Sequence, residues 1–180
     1  MNDQFESLSL KKAILDNLKK LDFKSMTPVQ AATLPLALDT KDIIAQAKTG
    51  SGKTAAFALS ILNTLDIPTL TPQAMILAPT RELAEQVAQE VRRLARGFEN
   101  VKILTLCGGV IDIHQEKSIA HGAHILVGTP GRVLKFAKKR ILNLDTIRTF
   151  VLDEADRMLD MGFSDDIRNI AIFLPKERHN

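Results

Sequence analysis

The chain has 180 residues, of which 45% are hydrophobic and 25% are charged. This length and apolar content predict one domain with enough material for a core. The start of the chain is polar and no apolar run approaches about 18 residues, so the sequence predicts neither export nor a membrane span. The lone Cys107 fits a reducing, cytoplasmic environment. The formal net charge of +3 predicts a mild attraction to polyanions rather than a strongly basic surface.

The N-terminal part of the chain predicts two helices. Residues 8–21 have an amphipathic pattern, and four lysines are expected on its solvated face: Lys11, Lys12, Lys19 and Lys20. Thr27 followed by Pro28 is typical of a helix start, with the threonine as N-cap and the proline at the first helical position. We therefore expect a second helix to begin at Pro28.

A short glycine-rich run, AKTGSGKT at 47–54, predicts a loop that binds the phosphates of a nucleotide. It follows an apolar segment at 42–46, which we expect to be a strand, and precedes a predicted helix over 54–65. This order of strand, loop and helix is the context that such a loop needs. The strict pattern begins with glycine where this chain has Ala47, and a simple glycine-containing turn is the alternative.

Individual residues of this loop suit separate parts of a nucleoside triphosphate. Gly50 and Gly52 allow backbone N–H groups to turn toward phosphate oxygens, and the helix N-terminus adds positive potential at the same point. Lys53 suits the β- and γ-phosphates, and the Thr54 hydroxyl suits Mg²⁺. The loop therefore predicts a site for a nucleoside triphosphate with its metal ion.

Short apolar runs alternate with helical patterns through the rest of the chain. We expect strands over four of these runs: 74–78, 102–107, 125–128 and 149–152. The clearest helix covers 80–96, with Thr80 as N-cap and Gly97 as its stop. Its apolar face has four members: Leu83, Val87, Val91 and Leu94. This alternation predicts an α/β fold in which a central parallel β-sheet carries helices on both faces.

Two adjacent carboxylates follow the last predicted strand. Asp153 and Glu154 lie in the sequence Asp-Glu-Ala-Asp, at the end of a strand where parallel sheets carry their ligand sites. Asp153 is placed to hold Mg²⁺ through water, and Glu154 can polarise the water that attacks the γ-phosphate. An acidic helix start is the alternative for this pair. Together with the phosphate loop, the pair predicts hydrolysis, with Glu154, Lys53 and Asp153 as catalytic residues and Thr54 and Asp153 at the metal.

Five motifs in this order carry a family resemblance: AKTGSGKT, PTRELA at 79–84, the pair Gly108 and Gly109, TPGR at 129–132, and DEAD at 153–156. The chain resembles the N-terminal RecA-like domain of a DEAD-box RNA helicase, from about Phe5 to its end. RRLARGFENVKILTLCGG and DEADRMLDMGFSD are similar to the bacterial DbpA type, which is associated with ribosomal RNA. The resemblance implies a RecA-like P-loop fold, one domain over 1–180, and a second RecA-like domain that lies outside these residues.

The resemblance also assigns the segment over about 5–30 to the family's Q motif. In that motif a glutamine amide pairs with the edge of adenine and an aromatic side chain packs on the ring. One amide both donates and accepts, which suits adenine and mismatches guanine. Asp22 and Met26 stand where the family commonly has glycine and proline. The expected nucleotide contacts are Phe23, Thr27, Gln30, Ala47, Lys48, Thr49, Gly50, Ser51, Gly52, Lys53 and Thr54.

Loops after three of the strands are expected to line an RNA groove, because the carboxyl ends of parallel strands share one edge of the sheet. Their members are Pro79, Thr80, Arg81, Gly108, Gly109, Thr129, Pro130, Gly131 and Arg132. The two arginines suit phosphate groups, although each loop has the alternative role of a helix cap. The chain has no Trp or Tyr, and no Phe in these loops. Contact with the sugar-phosphate backbone is therefore expected, rather than base stacking.

The resemblance implies an ATP- and RNA-binding domain of an ATP-dependent RNA helicase, with ATP and Mg²⁺ as ligands. RNA-dependent ATP hydrolysis would be coupled to local duplex unwinding, and Asp156 would couple this domain to the second one. We expect a monomer that does not bind membranes, acts in ribosomal RNA or ribosome assembly, and is nearly inactive as an isolated domain. An ATP-gated RNA clamp or scaffold without biological unwinding is the alternative.

One other class of protein and one other kind of site are not expected. A P-loop kinase or GTPase is not expected, because the chain lacks an Asn-Lys-x-Asp guanine-binding motif and Gln30 favours adenine. His114, His121 and His124 have no paired Cys or carboxylate at ligand spacing, so we do not expect them to bind a metal.

Overall fold

The computed structural model describes residues 3–109 and 111–180. Its four strands form one parallel sheet in the order β2-β3-β1-β4. They are β1 (Ala74–Leu77), β2 (Ile103–Leu106), β3 (Ile125–Gly128) and β4 (Thr149–Leu152). The predicted α/β fold with a central parallel sheet is therefore confirmed. The single domain expected over 1–180 includes Met1, Asn2 and Val110, which lie outside the described residues.

Eight α-helices surround the sheet in the described part of the chain. They are α1 (Lys12–Lys20), α2 (Pro28–Leu38), α3 (Lys53–Thr64), α4 (Arg81–Leu94), α5 (Asp112–Ala120), α6 (Pro130–Lys138), α7 (Ala155–Asp160) and α8 (Ser164–Ile172). Both predicted N-caps are in place: the hydroxyls of Thr27 and Thr80 accept backbone N–H groups of the first turns of α2 and α4. None of the helices between residues 3 and 109 or 111 and 180 has the length and apolarity to cross a bilayer.

The first helix is shorter than the amphipathic pattern predicts. It begins at Lys12 rather than at residue 8. The Lys11 N–H donates to Asn63 Oδ1 at 2.8 Å, and Asn63 Nδ2 donates to the Ser9 carbonyl at 3.1 Å. Because α3 supplies these partners, the backbone before Lys12 is held in a non-helical form.

Alternation along the strands builds a separate core on each face of the sheet. Ala74 and Ile76 of β1 pack with residues of α1, α3 and α4 in one core. Met75 and Leu77 of the same strand pack with α6, α7 and α8 in the other. Side chains of β3 divide in the same way, since successive residues of a strand point to opposite faces. Helices therefore cover both faces, as predicted, and leave the loops at the carboxyl ends of the strands exposed.

The strand predicted over 42–46 is absent from the described structure, so this prediction is wrong. Ile44 is fully exposed, and the Ile43 N–H donates to the Asn180 carbonyl at 2.9 Å. The residue that lies beside β4 is His179, whose carbonyl accepts from the Phe150 N–H at 2.8 Å. Among the described residues, the backbone of 42–46 is connected to the sheet only by this one hydrogen bond to Asn180, which follows His179 in the chain. A strand needs a ladder of hydrogen bonds with a neighbour, so none forms here.

Helix α1 packs on the C-terminal end of α4 through a very close backbone approach. Buried Asn17 donates from Nδ2 to the Leu94 carbonyl at 2.8 Å and the Arg93 carbonyl at 3.2 Å, which would otherwise lack intrahelical partners. Gly97 ends the following 3₁₀ turn, as its predicted role as a stop requires. A Cβ atom on Gly97 would lie 2.2 Å from the Ala13 carbonyl oxygen. The contact between the two helices therefore depends on glycine at this position.

Candidate functional site

The glycine-rich loop enters α3 in a conformation that suits glycine and leaves polar groups available. Gly50 and Gly52 have φ values of +78° and +96°, in the left-handed region. A Cβ atom on Gly50 would meet no described atom within 4 Å, whereas one on Gly52 would lie 2.5 Å from Gln30 Nε2. The Ser51 hydroxyl is buried and has no hydrogen-bond partner among the described residues. An open loop with an unsatisfied hydroxyl at a helix N-terminus fits a phosphate group.

Lys53, the first residue of α3, is held by the carbonyl oxygens of its own loop. Its Nζ donates to the Ala47 carbonyl and, at 3.1 Å, to the Lys48 carbonyl. These neutral partners satisfy hydrogen bonds but do not balance the charge of the ammonium. The arrangement therefore suits an anion at the loop, and the Thr54 hydroxyl and the Asp153 carboxylate are oxygen donors of the kind that Mg²⁺ takes.

Gln30 connects the start of α2 to the end of this loop. Its Oε1 accepts from the Thr27 N–H at 2.9 Å, which completes a capping box, and its Nε2 donates to the Gly52 carbonyl at 3.1 Å. The amide is buried, with the residue 2% exposed. The sequence indicated the cap and the loop separately, but no local pattern indicated the contact between them.

Phe23 lies near this segment, partly buried. Its ring centroid is 6.1 Å from that of Phe5 in an edge-to-face arrangement, and the Arg93 guanidinium lies 5.2 Å from it. Asp22, at the position where the family commonly has glycine, has a φ of +58°. The backbone thus keeps the left-handed conformation that glycine would adopt there.

Asp153 and Glu154 follow β4 at the same edge of the sheet. Burial and the neighbouring Glu154 raise the pKa of the Asp153 carboxyl, and Lys53 opposes the rise. Glu154 has φ +53° and ψ +50°, a left-handed conformation that is costly for a residue with a side chain. Its Oε2 accepts from Arg157 Nη1 at 3.2 Å. The two carboxylates therefore differ: that of Asp153 is desolvated near Lys53, and that of Glu154 is partly exposed and paired with Arg157.

Asp153→Asn is expected to stabilise the nucleotide-free protein. Because the pKa is raised in the folded state, the ionised carboxylate disfavours folding above that pKa and has no effect where both states carry the proton. Thermal melting at pH 8 should show a gain of about 0.5–2 kcal/mol, the usual range for removing an unfavourable charge. The gain should shrink as the pH falls through the titration of this carboxyl.

Asp16→Asn is the matched control for this change, since Asp16 is an exposed carboxylate on α1. We expect it to alter the free energy of unfolding by less than about 0.5 kcal/mol. If Asp153→Asn had a melting temperature equal to or below that of the unaltered protein at pH 8, the ionised Asp153 carboxylate would not disfavour folding.

The three predicted RNA-contacting loops lie side by side, because β2, β3 and β1 are adjacent and parallel. A Cβ atom on Gly109 would lie 2.9 Å from Arg81 Nη1, so the first and second loops are in contact. Arg81 is exposed and pairs with Glu85 at 2.8 Å within its own helix. Arg132 Nε donates to the Cys107 carbonyl at 3.0 Å, which joins the second and third loops. The structure therefore brings these residues together along one edge.

Arg132 also forms an ion pair that the sequence did not reveal. Its side chain is 9% exposed, and its guanidinium lies 5.3 Å from the Phe136 ring centroid and donates from Nη1 to Asp112 Oδ1. Asp112 is 20 residues away in the chain, and no local spacing connects the two. By contrast, the pair between Glu154 and Arg157 has the i, i+3 spacing of neighbours on a helix and could have been predicted.

Asp156, expected to couple two domains, is exposed and accepts at Oδ1 from the Arg157 N–H at 2.9 Å.

Of the three histidines considered as metal ligands, His124 is buried and has a structural role. It accepts from the Lys102 N–H at 3.0 Å and bonds from Nε2 to the Ile67 carbonyl at 2.9 Å. Across residues 3–109 and 111–180, no group of three His, Cys, Asp or Glu side chains is arranged to hold a metal ion.

Comparison with known proteins assigns this chain to a family. The model for DEAD/DEAH box helicases matches residues 27–180, which is most of the chain. The chain belongs to the DEAD/DEAH box helicase family. The DEAD-box resemblance inferred from its motifs is thus confirmed.

Curated DEAD-box relatives agree with this assignment. The chain is 55% identical over 166 residues to the ATP-dependent RNA helicase DbpA of Escherichia coli, covering 92% of this chain and 36% of that protein. It is 44% identical over 175 residues to the ATP-dependent RNA helicase CshA of Listeria monocytogenes, covering 97% of this chain and 34% of that protein. The chain therefore spans about a third of the length of these relatives.

Solved DEAD-box structures share the fold. A DEAD box protein from the hyperthermophile Methanococcus jannaschii is 40% identical, with a TM-score of 0.94 over 98% of this chain and 48% of that one. Dbp5 from S. cerevisiae, solved with RNA and ADP BeF₃, is 33% identical, with a TM-score of 0.89 over 98% of this chain and 45% of that one. The RecA-like architecture expected from the motifs is confirmed by these likenesses.

Proposed function

We propose that residues 1–180 form the N-terminal RecA-like domain of an ATP-dependent RNA helicase that binds ATP with Mg²⁺ and binds RNA. One observation carries the proposal: the paired carboxylates and the three loops assigned to RNA follow strands of one parallel sheet at its carboxyl edge, and Lys53 lies near enough to Asp153 to lower the pKa of that carboxyl. A ligand at the loop and a ligand at the neighbouring loops would therefore be in position to influence each other.

The nucleotide site uses the chain's own groups for three tasks. The backbone of the loop and the Lys53 ammonium bind phosphate oxygens, as the open space beside Gly50 and the unpaired Ser51 hydroxyl favour among the described residues. Thr54 and Asp153 would hold Mg²⁺, which neutralises phosphate charge when bound. Glu154 orients the attacking water and takes its proton, because its carboxylate is accessible and its neighbour Asp153 is reserved for the metal.

Adenine recognition is assigned to the Q motif. Gln30 already uses one lone pair and one N–H in the cap and in the contact to Gly52. An amide has a second lone pair and a second N–H, which suit the edge of adenine. Phe23 would pack against the ring. The contact between Gln30 and Gly52 means that base recognition and the shape of the phosphate loop are physically linked.

The RNA-binding residues are proposed to contact the sugar-phosphate backbone without reading its sequence. They are Pro79, Thr80, Arg81, Gly108, Gly109, Thr129, Pro130, Gly131 and Arg132. Arg81 is exposed and therefore accessible to phosphate, whereas partly buried Arg132 acts first by holding the second and third loops together. Backbone contact of this kind depends on salt and not on base identity.

Hydrolysis and unwinding are proposed for the full-length protein, in which a second RecA-like domain would close on this one through contacts that include Asp156. The isolated domain should therefore hydrolyse ATP slowly. We further propose a cytoplasmic monomer that acts on ribosomal RNA or in ribosome assembly, a role supported by the similarity to DbpA. An ATP-gated RNA clamp uses the same residues, and strand separation by the full-length protein on a short duplex distinguishes the two.

Nucleotide choice tests the adenine assignment. The unaltered chain should bind ADP about 10- to 100-fold more tightly than GDP, which corresponds to one or two hydrogen bonds that guanine cannot satisfy. Gln30→Ala should weaken the binding of both nucleotides, because it also removes the contact to Gly52. It should also bring the affinities for ADP and GDP closer together. Isothermal titration calorimetry with both nucleotides measures the ratio directly.

Gln86→Ala serves as the control for this experiment, since Gln86 is exposed on α4. It should leave both affinities and their ratio unchanged. Equal affinity of the unaltered chain for ADP and GDP would remove the Q-motif assignment, and a ratio that survives Gln30→Ala would place adenine recognition elsewhere.

A further inference from the structure

A cluster of charged side chains joins the first turn of α5 to one face of α6. Asp112 accepts from Arg132 through Oδ1, and its Oδ2 lies 2.6 Å from Lys135 Nζ and 3.6 Å from Lys139 Nζ. Glu116 lies 3.4 Å from the same Lys139 Nζ. One carboxylate therefore contacts three cations, and one of them belongs to the TPGR loop at the RNA edge.

The three cations form a line along α6. Arg132 and Lys135 belong to α6, and Lys139 is the residue directly after its last turn. Their spacings of three and four residues put all three on one side of the helix. At a rise of about 1.5 Å per residue, the line extends about 10 Å from the TPGR loop. It therefore starts at the loop to which RNA binding is assigned and leads from there along the helix.

We propose that this face of α6 extends the RNA-binding groove, and that the Asp112 carboxylate occupies it until the sugar-phosphate backbone of RNA takes its place. The inference rests on the proposed RNA-binding function and adds Lys135 and Lys139 to the binding residues. Asp112 is a positioning residue: it holds the cations in a row and competes with phosphate for them.

Exposure and charge support an exchangeable contact. The side chains of Lys135 and Lys139 are 46% and 45% exposed and that of Asp112 is 33% exposed, so an incoming anion can reach the lysines. Ion pairs this accessible to water are weak and give way readily to a competing anion. Three cations share the carboxylates of Asp112 and Glu116. Lys135 and Arg132 lower the pKa of Asp112 to about 2, so its carboxylate stays charged at neutral pH.

Binding of a fluorescein-labelled ten-nucleotide oligouridine, followed by anisotropy between 20 and 200 mM KCl, tests the proposal. Asp112→Asn keeps an oxygen acceptor for Arg132 and removes the competing charge. It should tighten binding at the lowest salt about 5-fold and steepen the slope of log K against log salt by about 0.7, the share of one further phosphate on a single strand. Oligoadenosine of the same length should give the same change, because the contact is to the backbone.

A second variant and two controls keep the test independent of any loss of folding in Asp112→Asn. The double change Lys135→Gln and Lys139→Gln should weaken binding and make the slope shallower by about 0.7 to 1.4. Lys138→Gln, the same chemical change on an exposed residue of α6 outside the cluster, and Asp16→Asn on α1 should both leave the slope unaltered within error. Melting curves establish that each variant is folded.

The outcomes separate this inference from the function on which it rests. Suppose that the unaltered chain binds the oligonucleotide with a salt-dependent affinity, and that folded Asp112→Asn and the double variant show the same slope of log K against log salt. The α6 face is then not part of the groove, whereas the RNA-binding proposal still holds. Equal effects of Lys135→Gln/Lys139→Gln and Lys138→Gln would also overturn the inference, since they would reflect net charge alone. Absence of any binding by the unaltered chain at 20 mM KCl would overturn both.

Discussion

In the full-length protein, Glu154→Gln is expected to lower the rate of ATP hydrolysis by a factor of about 10²–10⁴ while leaving ATP binding nearly unchanged. Glutamine has the shape of glutamate but cannot take a proton from the attacking water. Binding should survive because phosphate contact is assigned to Lys53 and the loop backbone. Steady-state phosphate release and equilibrium binding of a fluorescent ATP analogue measure the two effects separately.

Two comparison variants give this experiment its specificity. Arg157→Gln removes the partner of Glu154 at 3.2 Å and should change turnover much less, because an exposed ion pair contributes about 0–1 kcal/mol. Lys53→Ala should instead weaken nucleotide binding itself, since it deletes a charge-assisted phosphate contact. Turnover by Glu154→Gln within a few-fold of the unaltered protein would show that another group acts as the base.

The largest expected effect on stability comes from Gly97→Ala. The added Cβ atom would lie 2.2 Å from the Ala13 carbonyl oxygen and 3.1 Å from Asn17 Cβ, both in α1. The helix would have to move away, which would strain the bonds from Asn17 to the carbonyls that end α4. We expect a loss of about 3 kcal/mol, as for severe overpacking, and a Tm lower by about 6–12 °C.

Gly108→Ala is the control for this prediction. A Cβ atom on Gly108 would meet no described atom within 4 Å, so its melting temperature should stay within about 2 °C of the unaltered protein. If Gly97→Ala melted as high as Gly108→Ala, the close packing of α1 against the end of α4 would be incorrect.

Much of the site could be predicted because its signals are local. A phosphate loop is encoded by glycines, a lysine and a threonine within eight residues, and an N-cap such as Thr80 acts on the first turn that follows it. The paired carboxylates follow directly on β4, so their position at the end of a strand was predictable from the apolar run before them. The strand predicted over 42–46 had the same kind of local signal and failed, because a strand also needs a neighbour.

Contacts between distant residues had no signal in the sequence. Gln30 reaches Gly52 across 22 positions, and Asp112 reaches Arg132 across 20. Gln30 and Gly52 meet because the starts of α2 and α3 pack together. Asp112 and Arg132 meet because α5 and α6 follow β2 and β3, whose carboxyl ends lie at one edge of the sheet.

The sequence by itself determined the four strands of the sheet and the helices between them, the glycine-rich loop before α3, the position of the Asp-Glu pair and the helix caps, because each depends on the chemistry of residues within one or two turns of chain. The tertiary structure alone decided which strands have neighbours, that partly buried Arg132 is shared between Cys107 and Asp112, and that Gly97 must be glycine. These properties depend on distances between elements, which packing sets and periodicity does not encode.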